Sequence, residues 1–408
     1  MPNYCVTKSR QLSQGVHGLP ADKGFPDAEA MLAEALKRAK RRRFSDISFL
    51  PPLKRLVQSY RYEAELSTTG RYAARFDIVR CLANRLRLDA AEEENPAIAD
   101  ANIQAPVFIT GLPRSATSFL HSLLSLDPGN AVPRCWRLIH PYPPAGALAS
   151  WLCKAQVELQ LRLFQCLNPG LSKLHQLSAD EPQECTDITA HSFQSLRFDS
   201  THHIPSYQAW LDAHGHLDAF RFHRRFLQHL EMQAPGRRWI LKSPDHVFAL
   251  DAIKSIYPDA KIVFLHRDPL SVVASCSKLT ELLRRPFTNR IDRMEIGRQV
   301  STRLIESTER MAKAASASND ILHLHYRDVV SAPLDAVKQL YAHSGRTLDA
   351  EAERRMQAWL AHRSRKPRRR YSLAEFGLDA GALSERFAPY RDIFDIKAER
   401  PLADHYAA

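Results

Sequence analysis

The fold class predicted by this sequence is α/β: a P-loop-like parallel sheet flanked by helices, with N-terminal and inserted helical segments forming an acceptor side. Three observations predict it. Short apolar runs of strand length stand at 107–110 (VFIT), 238–242 (RWILK) and 261–266 (KIVFLH). Stretches with apolar residues at three- and four-residue steps lie between them, and strands alternating with helices make parallel sheets. The first run passes directly into a loop with a glycine and several hydroxyls, followed by a helix, which is the local order of a phosphate-binding loop.

Taken in order, residues 1–26 read as a loose N-terminal segment, because Gly15, Gly18, Pro20, Gly24 and Pro26 crowd together. Residues 27–43 (DAEAMLAEALKRAKRRR) predict a basic helix, and 51–94 predict a helix pair broken near Thr68–Gly70. Together they form a helical N-terminal extension, 27–105. An α/β domain follows at 106–390, with a helical insertion at about 130–235, and 391–408 forms a C-terminal tail. Within the domain, helical patterns occupy 117–126, 151–166, 246–256, 269–283 and 294–316, and ILHLHY (321–326) supplies a fourth strand. Ligands of such sheets bind beyond the carboxyl ends of the strands, so the functional residues are expected there.

Composition narrows the function classes. Hydrophobic residues make up 44% and charged residues 25%, enough for a sizeable core. The net charge of +12 calls for an anionic partner: nucleic acid, a membrane surface or a phosphorylated small molecule. Seven cysteines without CxxC pairs read as reduced thiols of a cytoplasmic protein. The first twenty residues contain no apolar core of a signal peptide, and no apolar run approaches the ~18 residues of a membrane span.

Two motifs carry the chemistry. In TGLPRSATS (110–118), Gly111 and Pro113 shape a turn and Ser115, Thr117 and Ser118 open a helix. Unpaired amides at a helix start hold anions, and hydroxyls with the Arg114 guanidinium add charge-assisted bonds. Against the nucleotide-hydrolase pattern G-x-x-x-x-G-K-[ST], Ala116 replaces the second Gly and Thr117 replaces the Lys. Loss of the Lys that reaches the β/γ-phosphates argues against ATP or GTP hydrolysis. The second motif, LKSPDHVFALDAIKSIYPDAKIVFLHRDPLSVVASCSKL (241–279), reads strand, helix, strand, helix. Lys242 and Arg267 sit at strand ends, Asp268-Pro269 starts a helix, and Ser271 and Ser275 share a face of it. Its HRD triplet is not a kinase catalytic loop: that loop needs an Asn where Val273 stands, and no Gly-rich loop lies upstream.

Two basic anion sites on neighbouring strand ends fit a ligand with two separated phosphates. Over roughly residues 50–390 the chain resembles the sulfotransferase superfamily that uses 3′-phosphoadenosine 5′-phosphosulfate (PAPS). The resemblance is to the bacterial-type branch, with loops of the form GxPRSGT[TS] and a later LKSPxH…HRDP…S. NRLRLD (84–89), DEPQEC (180–185), PSYQAWL (205–211), HYRDVV (325–330) and RRRYSLAEFGL (368–378) agree with it. The resemblance implies PAPS as donor, adenosine 3′,5′-bisphosphate (PAP) as product, and no metal. Arg114 matches the basic residue of the family's 5′-phosphosulfate loop, and Gly111, Pro113, Ser115, Ala116, Thr117 and Ser118 its surroundings. Arg267 with Ser275 matches the 3′-phosphate pair, and Lys242 a strand-end Lys near the transferring sulfuryl group. The run RSRKPRRR (363–370), with Arg368, Arg369 and Arg370, resembles the C-terminal segment that folds over the cofactor.

Two departures stand out. Ala116 replaces the usual loop glycine, and Arg137 follows Trp136 where relatives often carry WE. The implied reaction is in-line transfer of a sulfuryl group to a hydroxyl, less readily an amine, of a small-molecule, glycan or lipid-like acceptor. Fixed cations lower its barrier by stabilising charge on the leaving oxygen. A general base must take the acceptor proton. His246 is the first choice, with Glu184, Glu181, Asp180 and His175 as alternatives. The pair His202-His203 is read as incidental, and no His/Cys/Asp spacing forms a metal site. Trp136, Phe193, Tyr207 and Trp210 are candidate pocket walls. Rival readings are a P-loop-type kinase acting on a small molecule and a basic nucleic-acid-binding protein using 37–43 and 363–370. On the main reading no nucleic-acid partner is expected, and a homodimer is left open.

Overall fold

The structure is a computed structural model and describes residues 24–143, 146–168, 170–171, 178–363 and 371–399. Five parallel strands form one sheet in the order β2-β3-β1-β4-β5. They are β1 (Val107–Gly111), β2 (Asn130–Ala131), β3 (Arg238–Lys242), β4 (Lys261–His266) and β5 (Ile321–His325). The four expected strands are present. β2 was not foreseen, because two residues carry no periodic signal, and the expected insertion therefore contributes an edge strand beside Arg238 and Trp239.

The inner strands are apolar throughout because helices cover both faces of a parallel sheet. On one face, Phe108, Leu241, Ile262 and Phe264 pack with Phe226 and Ile253. On the other, Val107, Ile109, Ile240, Val263 and Leu265 pack with Leu120, Leu124, Val337 and Met356. β5 lies at the sheet edge and is covered less completely, with only Leu324 fully buried, which accounts for its alternating ILHLH.

The N-terminal helices are α1 (Ala28–Ala39), α2 (Leu50–Tyr62) and α3 (Thr68–Glu94). The expected break falls at 63–67, where the Ser67 side chain accepts a bond from Gly70 N and caps α3. These helices do not form a core of their own. Leu53, Leu56, Ile78 and Leu82 share one apolar cluster with Phe193, Tyr207 and Leu211, so the extension and part of the insertion make a single wall. Phe193 and Tyr207 are wholly buried inside that wall. Tyr207 Oη donates to Phe193 O at 2.9 Å and accepts from Ser195 N at 3.0 Å. Both rings belong to the core. Trp210 is half-buried and stacks on His214, with centroids 4.5 Å apart.

After β1 come α4 (Thr117–Leu124), α5 (Cys135–Ile139) and α6 (Ala147–Leu167). A helix from Pro269 to Arg284 positions the second motif, with the Asp268 side chain accepting from Leu270 N. This is the Asp-Pro start expected from sequence. Gly111 closes β1 with φ +113°, and a Cβ there would stand 2.4 Å from Leu265 O on β4. Only glycine lets the two central strands stay paired at the point where the chain turns into the loop. Among the described residues, no helix is long and apolar enough to cross a membrane.

Candidate active site at the strand ends

The loop after β1 is built around two left-handed residues, Arg114 (φ +62°) and Ala116 (φ +69°), on either side of Ser115. Such alternation turns successive amides into one concavity, which is an anion nest. The Ser115 hydroxyl donates back to Leu112 O and holds the turn closed. Ala116 is the residue before α4, and no side chain caps that helix, so its first amides face the concavity. The question raised by the missing glycine has a conformational answer. Ala116 adopts the left-handed backbone a glycine would take, at a cost of roughly 1–2 kcal/mol, and the loop shape survives.

Lys242 ends β3 with its side chain only 2% exposed. Its Nζ donates to Ser118 Oγ at 3.1 Å and to Glu184 Oε1 at 2.6 Å. Glu184 is brought there by the backbone: Cys185 N donates to Lys242 O at 3.0 Å, and Gln183 N to Pro133 O at 2.7 Å. The Glu184 side chain remains 31% exposed, so it opens toward solvent while Lys242 does not. Glu181 lies on the same segment and accepts from Ser122 Oγ at 3.1 Å. Asp180 pairs with Lys154.

The β4 end is tied to the same loop. Arg267 Nη1 donates to Arg114 O at 2.6 Å, and Arg114 Nε donates to Ser275 Oγ at 3.3 Å. The Arg267 guanidinium lies 4.2 Å from the Tyr326 ring centroid. Its remaining N–H groups grip the Glu399 carboxylate at 2.6 and 2.9 Å. Glu399 N in turn donates to Asp268 Oδ2 at 3.0 Å, and Arg327 Nη2 donates to Ala398 O at 3.0 Å. The loop residues, Lys242, Glu184, Arg267 and Ser275 thus converge. Arg368, Arg369, Arg370 and His175 lie outside the described residues.

His246 is placed differently from the other candidates. Its ring is 3% exposed and packs edge-on against Phe108 (5.0 Å) and Phe220 (5.9 Å). Neither ring nitrogen has a hydrogen-bond partner among the described residues. Burial, and then the neighbouring His223 and Lys242, hold it well below the usual histidine range, so it is neutral. It lines a cavity of about 20 Å³ with Asp245, Gln194 and Thr186, room for about one water. The short 3-10 turn Pro244–Ala249 carries it, with its ring in the aromatic layer.

Asp245 was missed by sequence reasoning. Burial, followed by the charge of Glu184, pushes its carboxyl up from 3.8 to about 7. The sequence offered one signal: an acid directly after Ser-Pro at a strand end, with Ser243 Oγ accepting from Asp245 N at 3.2 Å. Among the described residues, no group of three His, Cys, Asp or Glu stands close enough together to hold a metal ion.

Comparison with known proteins places this geometry. The model of a sulfotransferase family matches residues 106–350, more than half of the chain. Two curated relatives, from Mycobacterium bovis and Mycobacterium tuberculosis, are each named omega-hydroxy-beta-dihydromenaquinone-9 sulfotransferase Stf3. Each is 25% identical over 253 residues, covering 59% of this chain and 62% of its own length. The solved structure of sulfotransferase STF1 from Mycobacterium tuberculosis is similar with a TM-score of 0.79 and 29% identity, covering 90% of this chain and all of that one. Sulfotransferase STF9 from Mycobacterium avium is similar with a TM-score of 0.83 and 27% identity, covering 92% and 98%.

Two measurements test the local physics. Ala116→Gly is expected to be neutral or to stabilise by up to about 1 kcal/mol, relief of the left-handed backbone being partly offset by a freer unfolded chain. Ala116→Val, β-branched in the same backbone, is expected to destabilise by more than about 1 kcal/mol in urea unfolding. For Asp245, the folded carboxyl binds its proton more tightly than the unfolded one, so its contribution to stability falls as pH rises from about 4 to about 7. Asp245→Asn cannot ionise, so the stability of the variant relative to the parent should rise across that window and level off above it. Urea midpoints from pH 5 to pH 8.5 check this, and a constant difference would contradict the shift.

Proposed function

The chain belongs to the sulfotransferase family, and on that premise we propose that it transfers a sulfuryl group from PAPS to a hydroxyl of a small, lipid-like acceptor. The observation that carries the proposal is the meeting of one anion nest, after β1, with two fixed cations, Lys242 and Arg267, at the carboxyl ends of the two strands that flank β1. The donor set fits PAPS: the nest and Arg114 suit the 5′-phosphosulfate, and Arg267 with Ser275 suits the 3′-phosphate. When bound, PAPS supplies a sulfuryl group on a weakly basic phosphate leaving group. The lipid-like acceptor class follows the printed activity of the Stf3 relatives.

The residues of the chain then have separate tasks. The loop amides and Arg114 orient the leaving phosphate and stabilise the charge that develops on it. Lys242 is held by Glu184 and Ser118 before the donor arrives. Drawn instead to sulfuryl oxygens, it releases Glu184, whose carboxylate becomes more basic as its cation leaves. Glu184 is therefore proposed as the base that accepts the acceptor proton, ahead of His246. It is the half-open side chain beside Lys242, whereas His246 faces the aromatic layer.

On this reading the Glu399 carboxylate takes the same guanidinium N–H groups that a 3′-phosphate needs. Binding of PAP therefore has to displace it. A thermal-shift titration with PAP tests the whole reading: PAP is expected to stabilise the chain, and Mg-ATP is not. Arg267→Ala should abolish the shift, and Glu399→Gln should enlarge it at subsaturating PAP. Glu184→Gln should retain the shift while lowering kcat by roughly 10²–10⁴-fold. Stabilisation by ATP in place of PAP would revive the kinase reading and overturn this one.

A further inference from the structure

The helix α6 is amphipathic in an inverted sense. Val157 is its one buried residue, and Leu161 and Phe164 lie on the same side, half-buried. The opposite side is aliphatic and open to solvent: Leu148 (70% exposed), Trp151 (61%), Leu152 (54%), Leu159 (58%), Leu163 (57%) and Leu167 (61%). At 100° per residue these six fall within one continuous face of the helix. The face runs the full 21 residues, roughly 30 Å at 1.5 Å per residue. A contiguous apolar face of that size marks an interaction site.

The surroundings of the face select its partner. Arg162 falls within the face, beside Trp151, 72% exposed and paired with Glu158. At the C-terminal end, Phe164 stacks on Phe287 at 5.7 Å; the nearby Arg285 (55%) shares the buried Glu281 carboxylate with Lys278 and Arg293, leaving cations in excess there, and Arg290 (67%) pairs with Glu65 and Asp292. Arg87 of α3 donates to the neutral Asn84 side chain and lies near Cys153. The nearest carboxylates are engaged: Glu158 with Arg162 and the Ala179 amide, Asp180 with Lys154. An apolar stripe edged by arginines, on a chain of net charge +12, is complementary to an anionic lipid surface. Two copies of the same cationic chain repel one another.

The face is also connected to the candidate active site. Lys154–Asp180 and the bond from Ala179 N to Glu158 (2.9 Å) clamp α6 to the segment that ends in Glu184, and Glu184 touches Lys242. We infer that the exposed face of α6 lies in the headgroup region of an anionic membrane and brings the Glu184–Lys242 end of the sheet to a membrane-resident acceptor. This deepens the reading of the acceptor as lipid-like and rests on it for the role of the surface. The helix carries Lys154, Glu158 and Arg162, so it lies in the interface and does not cross it.

The test is co-sedimentation with vesicles of phosphatidylcholine containing phosphatidylglycerol, without donor or acceptor, so that failure leaves the sulfuryl-transfer reading standing. The parent chain is expected in the pellet. A triple variant, Leu152→Glu, Leu159→Glu and Leu163→Glu, is expected to show at least a ten-fold smaller bound fraction. Its unfolding midpoint and its stabilisation by PAP should stay within error of the parent, since these side chains are exposed and far from the loop in sequence. A parent that stays in the supernatant, or a variant that sediments equally well, overturns the inference. So does light scattering that shows a dimeric parent and a monomeric variant, because the face would then be covered by a second copy.

Discussion

Lys242 is the constraint on which much of this architecture depends. An ammonium at the buried end of a central strand is expensive to desolvate unless it is paired and hydrogen-bonded. The chain meets that requirement from two directions. Ser118 comes from the helix that follows the β1 loop, and Glu184 comes from the middle of the helical insertion. The insertion is thereby fixed to the sheet, through Cys185 N on Lys242 O as well as through the ion pair. On the proposed reading the same pair supplies the cation for the sulfuryl group and the carboxylate for the acceptor proton, so the packing requirement and the chemistry would coincide.

A second coupling joins the two anion sites. Arg267 bonds the Arg114 carbonyl, and Arg114 bonds Ser275, so the β1 loop and the β4 helix start hold each other in place. Preorganisation of this kind matters most where charge develops without a metal to absorb it. It also explains why a left-handed alanine is tolerated at 116: the strain of one residue is small against the several bonds that define the loop. The tail residue Glu399 extends the pattern, pairing with the guanidinium that the proposed reading assigns to the 3′-phosphate.

The acceptor side has a different logic. Its inner wall is a shared core of α1–α3 and residues 190–211, which includes Phe193 and Tyr207. Its outer element, α6, keeps apolar side chains where a soluble surface would be polar. A helix with one buried valine gains little from packing, so its leucines are better explained by what they meet outside the chain.

The parallel sheet, the nest-forming loop and the strand-end cations were legible in the sequence alone. Period and composition are local properties, and VFIT, RWILK and KIVFLH report them without knowledge of the partners. The tertiary structure decided the rest. Glu184 meets Lys242 across 58 residues and Glu399 meets Arg267 across 132, distances at which only strand order and packing determine contact. His246, four residues from Lys242, was the natural sequence choice for a base. Its ring packs among Phe108 and Phe220 in the aromatic layer, and no spacing rule encodes that packing. Whether Ala116 alters the loop was likewise a matter of one backbone dihedral, invisible in the letters and set by the bonds around it.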